Sequence, residues 1–196
     1  MQPLLSWYDA GHRALPWRSE PAPYRVWVSE IMLQQTRVEA VRGYFARWMN
    51  ALPDIPALAA ADEAVYTKLW EGLGYYSRVR NLHRAAVLLC EEYGGELPAD
   101  YDRLLALPGV GEYTAGAVAS IAFGLPVPAV DGNVLRVAAR LDNDFTPITD
   151  AKFKKQTRER FAALMPSDRP GDLNQSLMEL GATVCLPNGA PHRRAA

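Results

Sequence analysis

The chain has 196 residues, 49% of them hydrophobic and 22% charged, which suits one globular unit or two intimate subdomains with a real core. Net charge is −1, from 21 basic and 22 acidic residues, so overall charge argues neither for nor against a nucleic-acid partner. No apolar run reaches membrane-spanning length and no signal-peptide pattern opens the chain, so a soluble intracellular protein without a membrane partner is expected; Cys90 and Cys185 are too few for a disulfide framework or a four-thiolate metal site.

In chain order, Leu4, Leu5, Trp7 and Tyr8 open a short amphipathic helix that breaks near Gly11. Residues 19–23 read as loop. Helices are predicted from about Tyr24 to Gln35 and Arg37 to Met49. Pro53 and Pro56 mark a loop. Residues 62–71 read as helix, 72–76 as a turn, and 77–93 as a long helix stopped by Gly94 and Gly95. A short helix over 100–106 leads into Leu107-Pro108-Gly109-Val110-Gly111-Glu112-Tyr113-Thr114, whose glycines open an Ala-rich helix. Beyond Asn133 a helix reaches about Leu141. Helices at about 151–164 and 172–184 follow, and the tail from Leu186 reads as irregular. No alternating pattern bounded by hairpin turns is present, so the fold class expected is all-α.

Four stretches could carry chemistry, each against a plainer reading. The turn at Gly109–Gly111 is either a simple helix entry or an anion site, with helix-start amides pointing at a phosphate. Asp131, between Val130 and Gly132, is a lone carboxylate. Glu30 lies in an apolar run of Val26, Trp27, Val28, Ile31, Met32 and Leu33. It is either a solvent-facing helix residue or a desolvated acid with a raised pKa, suited to general acid work. Gln34 and Gln35 are polar surface or readers of base edges. Tyr75 and Tyr76, followed by Arg78 and Arg80, are core aromatics or a wedge with phosphate-holding arginines. His12, His83 and His192 form no metal-ligand spacing, so no zinc site is expected.

Together, Leu15–Arg18, Val28–Val38, Trp70–Arg78, Leu107–Ala115 and Val130–Val134, continued by Asn174-Gln175 and Met178–Ala182, resemble the helix-hairpin-helix base-excision glycosylases. The likeness covers residues 7–185 and is greatest to the MutY-type adenine DNA glycosylases. The resemblance implies two all-α subdomains flanking a DNA cleft: a six-helix barrel over 22–134, and a second subdomain from 1–21 plus 135–196. It implies removal of adenine paired with 8-oxoguanine or guanine in double-stranded DNA, by a monomer in the cytoplasm at the nucleoid. By resemblance Glu30 protonates adenine N7, and Asp131 either stabilises the positive charge developing on the sugar or briefly bonds to its anomeric carbon. Their environments should therefore differ. Tyr113 stands where strand-cutting relatives hold a Schiff-base lysine, which implies a monofunctional enzyme. Arg13, Trp17, Leu33, Val38 and Gln175 match positions around the extruded adenine. Gln35 and Tyr75 match residues that enter the duplex. Gly109, Val110 and Gly111 match the phosphate-holding hairpin, often with a monovalent cation; Gln34 and Arg78 join the expected DNA surface.

The resemblance also implies a [4Fe–4S] cluster on Cys-x6-Cys-x2-Cys-x5-Cys. Cys185 matches the first ligand, and His192 and Arg193 lie where the second would fall. No cluster is therefore expected here, nor the domain that inspects 8-oxoguanine. The alternatives are an endonuclease III-like glycosylase/lyase, and a non-catalytic helix-hairpin-helix DNA-binding module.

Overall fold

The computed structural model describes residues 2–187, which contain twelve helices and no strand, so the protein is all-α. Four of the helices start where a side chain meets the unpaired amides of the first turn. In chain order the helices are α1 (Gln2–Gly11), α2 (Pro16–Ser19), α3 (Pro23–Leu33), α4 (Val38–Ala51), α5 (Ile55–Ala59) and α6 (Glu63–Trp70). Then come α7 (Ser77–Tyr93), α8 (Tyr101–Leu105), α9 (Glu112–Phe123), α10 (Gly132–Leu141), α11 (Ala151–Leu164) and α12 (Pro170–Thr183). Asp54, Asp100, Asp131 and Asp150 each accept an N–H from three residues on and cap α5, α8, α10 and α11. Gly94, in the left-handed region at φ 64°, ends α7.

One segment read as a loop is helical, and so is the Pro16–Ser19 stretch, for which no element was predicted. Pro56 lies in the first turn of α5 and Pro16 in that of α2, where a missing N–H costs nothing. Of the two prolines taken as loop markers, Pro56 belongs to a helix start and Pro53 stands outside it. Pro170 likewise begins α12 two residues before the predicted point.

The chain divides into two compact units, Ala14–Val118, and Met1–Arg13 together with the chain from Ala119 onward. The division falls inside α9, whereas the sequence reading drew its subdomains at 22 and 134. In the Ala14–Val118 unit, α3 packs against α4 and α7, and α5 lies along α7. Trp27, Phe45, Trp48, Trp70, Leu82 and Leu89 fill its core. Trp48 meets Trp70 edge-on at 5.6 Å and donates through Nε1 to Tyr24 Oη, which donates to the Leu52 carbonyl. In the other unit α12 packs against α1 and α10 around Leu5, Val137, Phe153, Phe161, Leu173 and Leu177. Gly171 and Gly181 let α12 come close: a Cβ at 171 would lie 2.8 Å from the Ser120 carbonyl oxygen, and one at 181 would lie 2.5 Å from Asn133 Cβ.

Candidate active site

Nearly every face of α3 is buried, from Tyr24 through Met32, and Glu30 shares that burial at 5% exposure. The solvent-facing reading of Glu30 is thereby removed. A carboxylate in such surroundings requires a partner. Tyr113, in the first turn of α9, donates its hydroxyl to Glu30 Oε2 at 2.6 Å. That length is at the short end for an O–H···O hydrogen bond. The residue standing in the expected lysine position thus touches the expected acid and fixes its orientation.

Asp131 has a different environment, half-buried at the start of α10. Oδ1 accepts from the Val134 N–H at 2.8 Å and Oδ2 from Asn133 Nδ2 at 2.6 Å. A helix N-terminus favours negative charge there. Asn133 is itself held by Arg136 Nη2 at 2.8 Å on its side-chain oxygen.

The residues expected around an extruded base are drawn from both units. Arg13 donates from Nε and Nη2 to both oxygens of Glu179, at 2.7 and 2.9 Å, and from its backbone N–H at 3.1 Å. Gln175 precedes Glu179 by one turn of α12, so the fork ties Arg13 to the helix face bearing Gln175. Trp17 is buried against Phe45, ring centroids 5.3 Å apart, and serves its unit's core. Leu33, the last residue of α3, and Val38, the first of α4, are half-buried.

On the Ala14–Val118 unit, Tyr75 is 62% exposed, so the core reading of this residue fails. Gln34 Nε2 reaches Thr114 Oγ1 at 3.4 Å. Gln35 and Tyr75 are both left-handed, at φ 57° and 46°. For residues with a Cβ each such conformation costs on the order of 1 kcal/mol or more, and it clusters at functional positions. Arg78 departs from its expected place on a phosphate. Its guanidinium is turned inward, donating to the carbonyls of Ile31, Met32, Gln34, Leu73 and Gly74. Desolvation pulls its pKa below the ordinary guanidinium value. In the hairpin between α8 and α9, Gly109 has φ 76°, and a Cβ there would lie 2.7 Å from Asn81 Cβ. Val110 is buried and closes the turn on the Leu107 carbonyl at 3.1 Å. In front of Gly111 the space is open to 4 Å.

Two residues gained no role from the sequence. Asn174, 1% exposed, accepts from the Ala129 N–H and donates to Ser120 Oγ and the Val127 carbonyl, pinning the segment that delivers Asp131. Glu179, 2% exposed, is the buried partner of Arg13. The available signal was a polar residue on the apolar face of a helix: Asn174 beside Leu173 and Leu177, and Glu179 two residues beyond.

The cluster implied by the resemblance finds little to bind. The chain has two cysteines. Cys185 Sγ accepts from Arg140 Nη1 at 3.0 Å within its unit's core, while Cys90 belongs to α7 of the other unit. These residues do not fit a four-thiolate cluster. His192 and Arg193 lie outside the described residues. Among the described residues no three His, Cys, Asp or Glu side chains group as a metal set, and no helix is long and apolar enough to cross a membrane.

Comparison with known proteins adds the family. Residues 28–165 match the model of the HhH-GPD superfamily base excision DNA repair proteins. The adenine DNA glycosylase of Mus musculus is 48% identical over 193 residues, covering 94% of this chain and 38% of its own length. That of Mycolicibacterium smegmatis is 44% identical over 184 residues, covering 93% of this chain and 62% of its own length. The chain thus spans little more than a third of the mammalian relatives it matches. A thermostable thymine-DNA glycosylase of known structure superposes with a TM-score of 0.87 at 26% identity, over 98% of this chain and 89% of that one.

Proposed function

The chain belongs to the HhH-GPD superfamily of base excision DNA repair proteins, and from that premise we propose that it is a monofunctional adenine DNA glycosylase. Its substrate is double-stranded DNA with adenine opposite 8-oxoguanine or guanine, and it hydrolyses the N-glycosidic bond. The names of relatives at 36–48% identity support the substrate, and the Tyr113–Glu30 hydrogen bond carries the chemistry. A buried carboxyl oriented by a phenol can hand its proton to N7 of an extruded adenine. The C1′–N9 bond then breaks, adenine leaves neutral, and positive charge spreads over C1′ and the ring oxygen. Asp131, oriented by an N–H and an amide, opposes that charge. Water adds at C1′, its proton passes to the Glu30 carboxylate, which restores the acid, and an abasic site remains. Tyr113 has no amine, so it cannot form the Schiff base that strand cleavage by a lyase requires.

Arg13 and Gln175, with Leu33 and Val38, are assigned to the adenine, Gln34, Gln35 and Tyr75 to the duplex near the opposing base, and the Gly109–Gly111 amides to a phosphate, with or without a monovalent cation. The open space at Gly111 supports that last assignment. We further propose that this chain works as a monomer in the cytoplasm, at the nucleoid, and without a cluster; purified protein is expected to be colourless, and brown protein absorbing near 410 nm (roughly, for a thiolate cluster) contradicts that.

The test is single-turnover adenine release from duplexes with adenine opposite 8-oxoguanine, guanine or thymine, followed by alkali. Breaks only after alkali, and only opposite the two purines, are expected. Glu30→Gln and Asp131→Asn should each abolish release while binding survives, because general acid catalysis alone is worth about a hundred- to ten-thousandfold. Strong borohydride trapping on abasic DNA instead identifies a lyase. Tight binding with no release by the unaltered protein identifies a DNA-binding module.

A further inference from the structure

We propose that Arg78 is a positioning residue that sets Gln35 and Tyr75, forty residues apart in sequence, in the backbone conformations with which they meet the duplex; this rests on the reading above that both side chains enter DNA. Of three non-glycine residues with positive φ among the described residues, two are Gln35 and Tyr75. The peptide immediately before each ends on the same guanidinium. Nη1 donates to the Gln34 carbonyl at 2.5 Å, and Nη2 to the Gly74 carbonyl at 3.2 Å. Those two carbonyls belong to the peptide planes whose rotation sets φ at 35 and at 75.

The remaining contacts anchor the clamp. Nη1 also takes the Ile31 and Met32 carbonyls at 3.0 and 3.1 Å, near the end of α3, where carbonyls lack intrahelical partners. Nη2 takes the Leu73 carbonyl at 2.9 Å. The guanidinium carbon lies 5.2 Å from the centroid of the buried Trp70 ring and 5.6 Å from that of the exposed Tyr75 ring. Trp70 Nε1 donates to the Gly74 carbonyl at 3.0 Å, so that peptide is held from two sides. An arginine can do this because its fork presents donors in fixed, diverging directions; a lysine ammonium cannot hold two separate peptide planes. The same geometry argues against a direct phosphate contact. Both amino groups are occupied within the protein, and Nε is buried.

Four measurements test the assignment. In the DNA-free unaltered protein, amides of residues 34–37 and 73–76 should exchange through one opening event, with a shared denaturant dependence. Independent opening of the two segments overturns the clamp without any variant having to fold. In Arg78→Lys, exchange should quicken in both segments and stay unchanged over α4 and α8. Protection retained in both overturns it. Binding to an adenine–guanine duplex is then measured against salt in a Glu30→Gln background, with and without the charge-removing Arg78→Gln. Affinity is expected to fall about fivefold or more, as when one stacked aromatic is unseated, with an unchanged salt slope. A slope smaller by about 0.9 identifies a phosphate contact and overturns the proposal. In a Gln35→Ala/Tyr75→Ala background, Arg78→Gln should weaken binding no further; a full additional loss overturns it. Failure of the unaltered protein to bind the duplex defeats the functional reading instead, and the exchange result then stands apart from it.

Discussion

Asp131 caps α10 with one carboxylate oxygen and holds Asn133 with the other, so its substitutions separate two roles. Asparagine keeps an acceptor for the Val134 N–H and loses the charge. Asp131→Asn is therefore expected to melt within a few degrees of the parent while releasing no adenine. Asp131→Ala should lose adenine release and about 1 kcal/mol besides, the usual value of a helix cap; thermal melts beside single-turnover assays read both. Tyr113 acts through Glu30. Tyr113→Phe should slow base release by about ten- to hundredfold, the equivalent of one hydrogen bond to a charged group. In a Glu30→Gln background the same change should do almost nothing, and additive losses in the double variant would contradict the assignment.

At the scale of elements, the hairpin between α8 and α9 uses its two glycines differently. Gly109 is left-handed and crowded by Asn81, so Gly109→Ala should destabilise the fold by about 1–3 kcal/mol in denaturant titrations. Gly111→Ala meets open space and should leave stability nearly intact while weakening DNA binding at low salt. Most helices were legible because apolar residues recur at helical spacing between recognisable stops, as in α7, with Gly94 as its end. α5 was not, because Pro56 signals a break in sequence and a first turn in space. Glu30 was visible as a carboxylate in an apolar run, but its donor lies 83 positions away. Arg78 beside two tyrosines looked like a phosphate contact. Its carbonyl partners in α3 lie more than forty positions earlier, and nothing periodic records a bond of that kind. Left-handed φ at Gln35 and Tyr75 is equally silent, since the usual marker of that conformation is glycine.

Over the whole molecule, the unit that contains both α1 and α12 is joined across the chain by Asp9 and Arg169, at 2.6 Å, with Asp172 on the same guanidinium. The hydrogen bond from Arg169 holds the Asp9 carboxyl below its usual 3.8. Because the folded value is depressed, the pair's contribution is full above 3.8 and is lost as pH falls through the folded value. The stability gap between the protein and Asp9→Asn should accordingly be constant near neutrality and narrow as pH falls below 3.8, as urea titrations across pH would show; a gap that widens there would contradict it. The same arrangement sets an order of events at the ribosome. All of Ala14–Val118 is made before α12 exists, so that unit can fold while α1 is still waiting for its partner. Through that interval Leu5 has no core to enter, and closing the unit later joins chain positions 160 apart. Slow acquisition of the second unit, with a chaperone-sensitive α1, is the kinetic counterpart of its two-ended construction.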